Sequence, residues 1–278
     1  MAVKIVTDSC ADLPPDIAEA LGITIVPVYI CFNDRIYRDG VDISAEELYP
    51  KLEEETDYPT TTQPMPRDFA NVYQKLGKEA EGIVSIHLPA RLSGTYNSAL
   101  QGKVLAKTKC DIEVIDSLSV SMGLGLVVMA AARVALAGGS FLQVIRETKR
   151  IIPKIHVLGM MNSVKYIVAG GRISKTKATI GSTLSVKPLL ALKNGEVFQV
   201  AMVRSCAKGL EHQVEFVEKT CDVREAAIVH NTTPDEVNAL KKRIRCFVPE
   251  ERIYVARLSA SLGVHCGPGT TITAVRCA

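Results

Sequence analysis

The chain has 278 residues, of which 47% are hydrophobic and 23% charged, and its net charge is +3. That length and balance suit one large or two modest globular domains with a sizeable core, and they exclude a disordered chain. The mild charge shows no basic face of the kind nucleic acid requires: the one dense cluster, KKRIR at 241–245, falls inside an expected helix and reads as a solvated face.

Taken in chain order, residues 3–9 (VKIVTDS) predict a strand, and PPDIAEALG predicts a helix with proline at its start and glycine at its end. ITIVPVYI, residues 23–30, reads as one strand. SAEELYPKLEEE and PRDFANVYQKLGKEA read as helices. GIVSIHL and IEVIDS read as strands on either side of a helix, GTYNSALQGKVLAK. A long helix over 120–137 and another over 140–152 complete this half. The most apolar stretch, MGLGLVVMAAA at 122–132, is too short to span a bilayer and reads as a helix buried in protein. Strand–helix alternation of this kind implies a parallel sheet covered on both faces.

From IHVLGMM (155–161) the pattern changes. VKPLLAL, EVFQVAMVRS, AAIVHN, RIYVAR and TITAVRC are strand candidates, NG at 194–195 signals a hairpin, and helices are expected near 205–220 and 234–247. The expected architecture is α/β: an N-terminal parallel-sheet, Rossmann-like domain over 1–154 and a C-terminal mixed-sheet α/β domain over 155–278. Eight cysteines form no C-x-x-C pair and no close grouping with histidine, which suits reduced, buried thiols and a reducing compartment. MAVKIVTDS has no signal-peptide architecture. The expected location is the cytoplasm.

In open α/β sheets, ligands sit beyond the carboxyl ends of the strands. Four polar segments fall there: Asp8-Ser9, Thr60 to Gln63, Ser93-Gly94-Thr95 and Asp116-Ser117. Asp8-Ser9 and Asp116-Ser117 each read first as local caps or turns. PTTTQP and LSGT both stand ahead of helices, so their hydroxyls and the free N–H groups behind them converge on one anion if the two loops are neighbours. Neither loop holds a lysine or arginine, which favours a carboxylate over a polyphosphate. Capping alone also explains either loop taken singly. No Walker A sequence and no G-x-G-x-x-G occurs. AGGRIS at 169–174 joins a glycine pair to Arg172, a partner for an anion or a plain surface residue. His265 lies in a glycine-rich turn, LGVHCGPG. His87, His156, His212 and His230 read first as satisfied structural histidines. A Ser–His–Asp hydrolase from Ser93, His265 and Asp8 or Asp116 is formally open, although the G-x-S-x-G elbow is absent. No metal site is suggested.

VTDS, TTTQPMPRDF, LSGTYNSA, VIDS, GGRIS, KPLL and HCGPG, in this order over the whole chain, resemble the DegV family. These are bacterial fatty-acid-binding proteins of the FakB type, which serve as the lipid-presenting subunit of fatty acid kinase. The resemblance implies a two-domain fold that holds one long-chain fatty acid in a buried apolar tunnel, with no catalysis of its own and no cofactor. It assigns Thr61, Thr62 and Ser93 to the carboxylate, with Thr95 a near neighbour and His265 completing the network. Arg172 and Arg204 would face the partner kinase subunit, which brings ATP and makes an acyl phosphate for phospholipid synthesis. The implied partners are therefore a long-chain fatty acid, the kinase catalytic subunit and a transient membrane contact, with no nucleic acid. Dihydroxyacetone kinase subunits, which hold a small ketone on a histidine, share a remote fold resemblance, but a ketone needs no apolar tunnel. The Gly- and Ala-rich helix over 121–137 is a candidate tunnel wall, and simple packing on a sheet is equally consistent with its sequence. Pro89 and Arg91 in HLPAR depart from the family's usual small hydroxyl residues and glycine ahead of LSGT.

Overall fold

The computed structural model describes residues 2–32, 35–54, 58–173 and 186–278, except for the side chains of residues 53 and 54. The first half runs β1 (Ala2–Asp8), α1 (Pro15–Ala20), β2 (Ile23–Val26), β3 (Tyr29–Phe32), β4 (Arg35–Arg38), α2 (Ala45–Glu54), β5 (Thr60–Thr62), α3 (Pro66–Leu76), β6 (Ala80–His87), α4 (Thr95–Leu105), β7 (Asp111–Asp116), α5 (Met122–Leu136) and α6 (Phe141–Ile151). The second half runs β8 (Ile155–Met160), α7 (Lys165–Ala169), β9 (Lys187–Lys193), β10 (Glu196–Val203), α8 (Cys206–Lys219), β11 (Val223–His230), α9 (Pro234–Ile244), β12 (Ile253–Arg257), α10 (Ala260–Cys266) and β13 (Thr271–Cys277).

The N-terminal sheet is wholly parallel, in the order β2-β1-β6-β7. The C-terminal sheet is mixed, in the order β10-β9-β8-β13-β11-β12, with only β11 and β12 parallel among its neighbours. The expected fold class is the observed one. The NG pair forms the β9–β10 turn, where Asn194 and Gly195 both take positive φ, 52° and 75°.

One expected strand, ITIVPVYI, divides in two. Pro27 cannot donate to a ladder, and the next N–H, that of Val28, goes to the Ser9 hydroxyl instead (3.1 Å). β2 therefore stays on the parallel sheet, while β3 pairs antiparallel with β4 and β5 in a third, three-stranded sheet that the apolar pattern does not announce. This small sheet, α2, Tyr166 and α10 share one hydrophobic cluster, which includes Ile30, Leu48, Tyr49 and Val264. It brings Thr60–Thr62 of the first half against a helix of the second.

Helix α5 is buried on nearly every side from Met122 to Ala132. It packs on β1 in one direction and on β8, β11 and β13 in the other. A Cβ on Gly125 would lie 2.7 Å from the Ala11 carbonyl oxygen, and one on Gly123 would lie 2.5 Å from Val157 Cγ2. Glycine at these two positions lets both sheets close on one helix, and a single apolar core runs through the two halves. Among the described residues no helix is long and apolar enough to cross a membrane.

Candidate functional site

The polar segments expected to converge do so. β5 carries Thr61 and Thr62, and Thr61 Oγ1 lies 2.7 Å from His265 Nε2. His265 sits in the last turn of α10, not in the glycine-rich turn, which begins one residue beyond Cys266 with Gly267 at φ 72°. The His265 ring packs against Gly170, where an added Cβ would come within 2.2 Å of Nδ1. Nδ1 is itself buried with no hydrogen-bond partner among the described residues. Burial, reinforced by the nearby positive charge of Arg172, pushes the imidazole down to about 4, so it is neutral near pH 7.

Ser93 stands just ahead of α4. Its Oγ accepts the Thr95 N–H (3.2 Å) and lies 2.9 Å from Thr95 Oγ1. Ser93 thus closes a local turn onto the first N–H of α4, whose N-cap is Gly94, and Thr95 is wholly buried behind it. The Gln63 side chain lies 3.0 Å from where a Cβ on Gly94 would stand, so the PTTTQP and LSGT loops are neighbours. The Thr62 hydroxyl has no protein partner among the described residues, although Thr62 lines the same space as Ser93 and His265. Arg172 is half-buried there, its guanidinium donating to the carbonyls of Gly170 and Leu92. Arg204 is exposed in the β10–α8 connection and outside that lining. Ser174, the end of the GGRIS segment, lies outside the described residues.

Behind this polar end lies an apolar cavity between the sheets, with about 920 Å³ of atom-free space including its mouth. Leu88 and Val120 contribute from the parallel sheet side, Val157, Gly159, Leu190, Leu192, Val197 and Ile272 from the mixed sheet, and Leu262 and Cys266 from α10. Val28, Leu92, Met161 and Ile167 close the remaining walls. Helix α5 contributes nothing to the lining: it is the packed core helix of the alternative reading, and only Val120, just before it, reaches the cavity.

The fold that sets this cavity between two sheets is shared over its whole length with known proteins. The family model described as "Uncharacterised protein, DegV family" matches residues 2–275. The chain belongs to the DegV family. A DegV domain-containing protein of Caldanaerobacter subterraneus subsp. tengcongensis is 35% identical over 272 residues, covering 96% of this chain and 95% of the relative. The structure "Fatty Acid Binding of a DegV family Protein from Thermus thermophilus" superposes with a TM-score of 0.90 at 32% identity, covering all of both chains. "DegV, a fatty acid binding protein from Bacillus subtilis" does so with a TM-score of 0.87 at 26% identity, covering 99% of each.

In this DegV-family chain the hydrolase arrangement is not assembled. Ser93 bonds to Thr95 and His265 to Thr61, not to one another. Asp116 takes the Leu118 N–H in a local turn and the Ala90 N–H from the connection between β6 and α4. Asp8 belongs to another histidine: His87 Nδ1 lies 2.9 Å from Asp8 Oδ2, His87 Nε2 lies 2.7 Å from Ser85 Oγ, and Tyr73 donates to Ser85 (2.7 Å). Asp8, Ser85, His87 and Tyr73 are all fully buried and none lines the cavity. This Ser–His–Asp line ties β1 to β6 and has no access to a substrate. No metal-binding cluster occurs among the described residues. Residue patterns alone single out none of Cys10, Met161 or Ser261 as cavity residues: all three sit in short buried stretches whose periodicity says "core" without saying that a void adjoins them.

Proposed function

We propose that this DegV-family chain binds one long-chain fatty acid, its carboxylate held by Thr61, Thr62, Ser93 and His265 and its acyl chain in the apolar cavity. The observation that carries this reading is the pairing of an apolar cavity with a polar end that still has capacity: Thr62 lines the cavity and its hydroxyl has no protein partner among the described residues. A neutral imidazole and neutral hydroxyls suit a single carboxylate, because each can donate without a fixed positive charge at its own atoms. Each buried methylene contributes about 0.8 kcal/mol, so the chain supplies most of the affinity and the polar end fixes orientation. The fatty-acid binding named for the Thermus thermophilus and Bacillus subtilis relatives supports the same reading.

The finer function is that of a cytoplasmic, FakB-type lipid-presenting subunit without catalysis of its own. A separate fatty acid kinase subunit would phosphorylate the presented carboxylate to an acyl phosphate, with ATP as donor and phospholipid synthesis as the destination. Arg172 at the cavity and Arg204 outside it are the proposed kinase-facing cations. The test is titration of the delipidated protein with palmitate by displacement of a fluorescent fatty acid, a clean readout because the chain holds no tryptophan. Saturation at one equivalent supports the reading. Failure to displace the probe with palmitate or oleate contradicts it, and turnover of acyl esters by the isolated protein would revive the hydrolase.

A further inference from the structure

Helix α10 carries the head-group histidine near its end, and its beginning is held by two buried carboxylates that the fatty-acid reading leaves unused. Asp39, just after β4, accepts the Ala260 N–H (3.1 Å) on Oδ1 and the Ser261 hydroxyl (2.5 Å) on Oδ2. Asp12, beyond β1 with a φ of 50°, accepts the Ser259 N–H (2.9 Å) on Oδ1 and the Ser121 hydroxyl (2.6 Å) on Oδ2. Consecutive N–H groups at the start of α10, which a helix leaves without internal partners, thus end on carboxylates from two other segments of the chain. Both carboxylates are almost fully buried, at 4% and 6% exposure, and neither has a cationic partner among the described residues. Such groups cost stability, and apolar packing would be cheaper. Burial holds both above the ordinary carboxylate range, Asp12 at about 7.

What the arrangement achieves is placement. Seven residues make too short a helix to hold its own position. His265 lies five residues beyond Ala260, about 7.5 Å along the axis, and a displacement of about 1 Å takes its 2.7 Å contact with Thr61 outside hydrogen-bonding range. Ser261 joins the two ends: it donates to Asp39, lies 3.4 Å from Cys10 Sγ and lines the apolar cavity. Asp12 and Asp39 lie on its far side, lining a separate cavity.

We propose that Asp39, with Asp12 beside it, is a positioning residue for the carboxylate site: the two side chains pin the start of α10 and so set His265 against Thr61. The proposal rests on the fatty-acid reading for its binding readout, and a second readout is independent of lipid. In delipidated protein labelled with ¹⁵N-histidine, His265 (assigned by its loss in His265→Gln) should titrate near pH 4 in the wild type. Asp39→Ala should move it at least one pH unit toward the ordinary imidazole value, because a released ring is rehydrated. Asp39→Asn, which keeps an acceptor for the Ala260 N–H, should restore most of the low value. Should Asp39→Ala fail to fold, Asp39→Ser, too short to reach Ala260, is expected to give the same shift. A folded Ala or Ser variant in which His265 titrates as in the wild type overturns the proposal. In the binding arm, Asp39→Ala should lose about tenfold in palmitate affinity while hexadecanol, which buries the same chain without a carboxylate, binds as before. Equal loss for both ligands would mean a merely structural role and also overturns it. If the wild type binds neither ligand, the fatty-acid reading fails, and the histidine titration still decides the role of Asp39.

Discussion

Thr62→Val and Ser93→Ala separate ligand binding from helix capping. Thr62 lies on β5, paired with Tyr29, and valine keeps its shape and its strand preference. Its hydroxyl bonds to no protein group among the described residues, so Thr62→Val removes nothing from the lipid-free fold. Under the proposed function it removes one charge-assisted hydrogen bond to the carboxylate, worth roughly 1.5–3 kcal/mol, or about 10- to 150-fold in palmitate affinity. Ser93→Ala removes the same kind of bond together with the acceptor of the Thr95 N–H, about 0.5–1.5 kcal/mol of stability, and it takes a partner from the fully buried Thr95 hydroxyl. Probe displacement measures the affinities, and thermal unfolding of delipidated protein measures the stabilities. The expected pattern is weakened binding in both variants and a lowered melting temperature in Ser93→Ala alone. Unchanged palmitate affinity in Thr62→Val would refute the reasoning, since that residue would then face the cavity without touching the ligand.

Three further outcomes follow from the same geometry. Asp12 holds its proton up to about pH 7 in the fold against 3.8 ordinarily, so the folded state binds the extra proton and this group's stabilisation declines as pH rises from about 4 to 7; His265, pushed down to about 4 from 6.5, works oppositely, its contribution rising from about pH 4 to 6.5. In urea titrations at pH 4.5 and 6.5, His265→Gln should therefore lose stability toward the higher pH relative to wild type, and Asp12→Asn should gain it, each by on the order of 2 kcal/mol; parallel pH profiles would contradict both assignments. Gly170→Ala should push the His265 ring off Thr61, because its new Cβ would come within 2.2 Å of Nδ1, and palmitate affinity should fall about tenfold with the helical content unchanged by circular dichroism. Arg172→Ala should retain palmitate but support less acyl phosphate formation when a fatty acid kinase subunit and ATP are added, and loss of palmitate binding would move this arginine from the kinase surface to the ligand.

Much of the fold is legible because its strands are short β-branched runs flanked by caps and glycines, as in VKIVTDS and GIVSIHL. The alternation of these runs with helices defines the parallel sheet without further information. Failures cluster where local signals conflict. ITIVPVYI is apolar throughout, and the consequence of Pro27, a change of sheet, is a tertiary choice made by the Ser9 hydroxyl and by pairing with β5. LGVHCGPG reads as a turn because of its three glycines, yet its first five residues lie in α10, whose start Asp12 and Asp39 hold from segments more than 200 residues away in sequence. The hydroxyls of Thr61, Thr62 and Ser93 are legible as residues ahead of helices, and the family resemblance joins them to His265. The cavity walls were not visible. Leu190, Ile272 and Val157 alternate as any buried strand residues do, and hydrophobicity reports removal from water but not whether a void or a side chain faces them. For the same reason the small residues of α5 suggested a lining helix, although their space is filled by the two sheets.

In the proposed function one long-chain fatty acid fills the cavity with its carboxylate at the hydroxyl–histidine end. Native mass spectrometry of the protein purified from bacteria without detergent, followed by denaturing extraction, tests this most directly. The expected result is a single mass increment released as one fatty acid of about 14–18 carbons, a length whose burial supplies ample affinity, and loss of most of that increment in the Thr62→Val, Ser93→Ala double variant. A protein that emerges at its bare chain mass and still takes up neither palmitate nor oleate on incubation would contradict it.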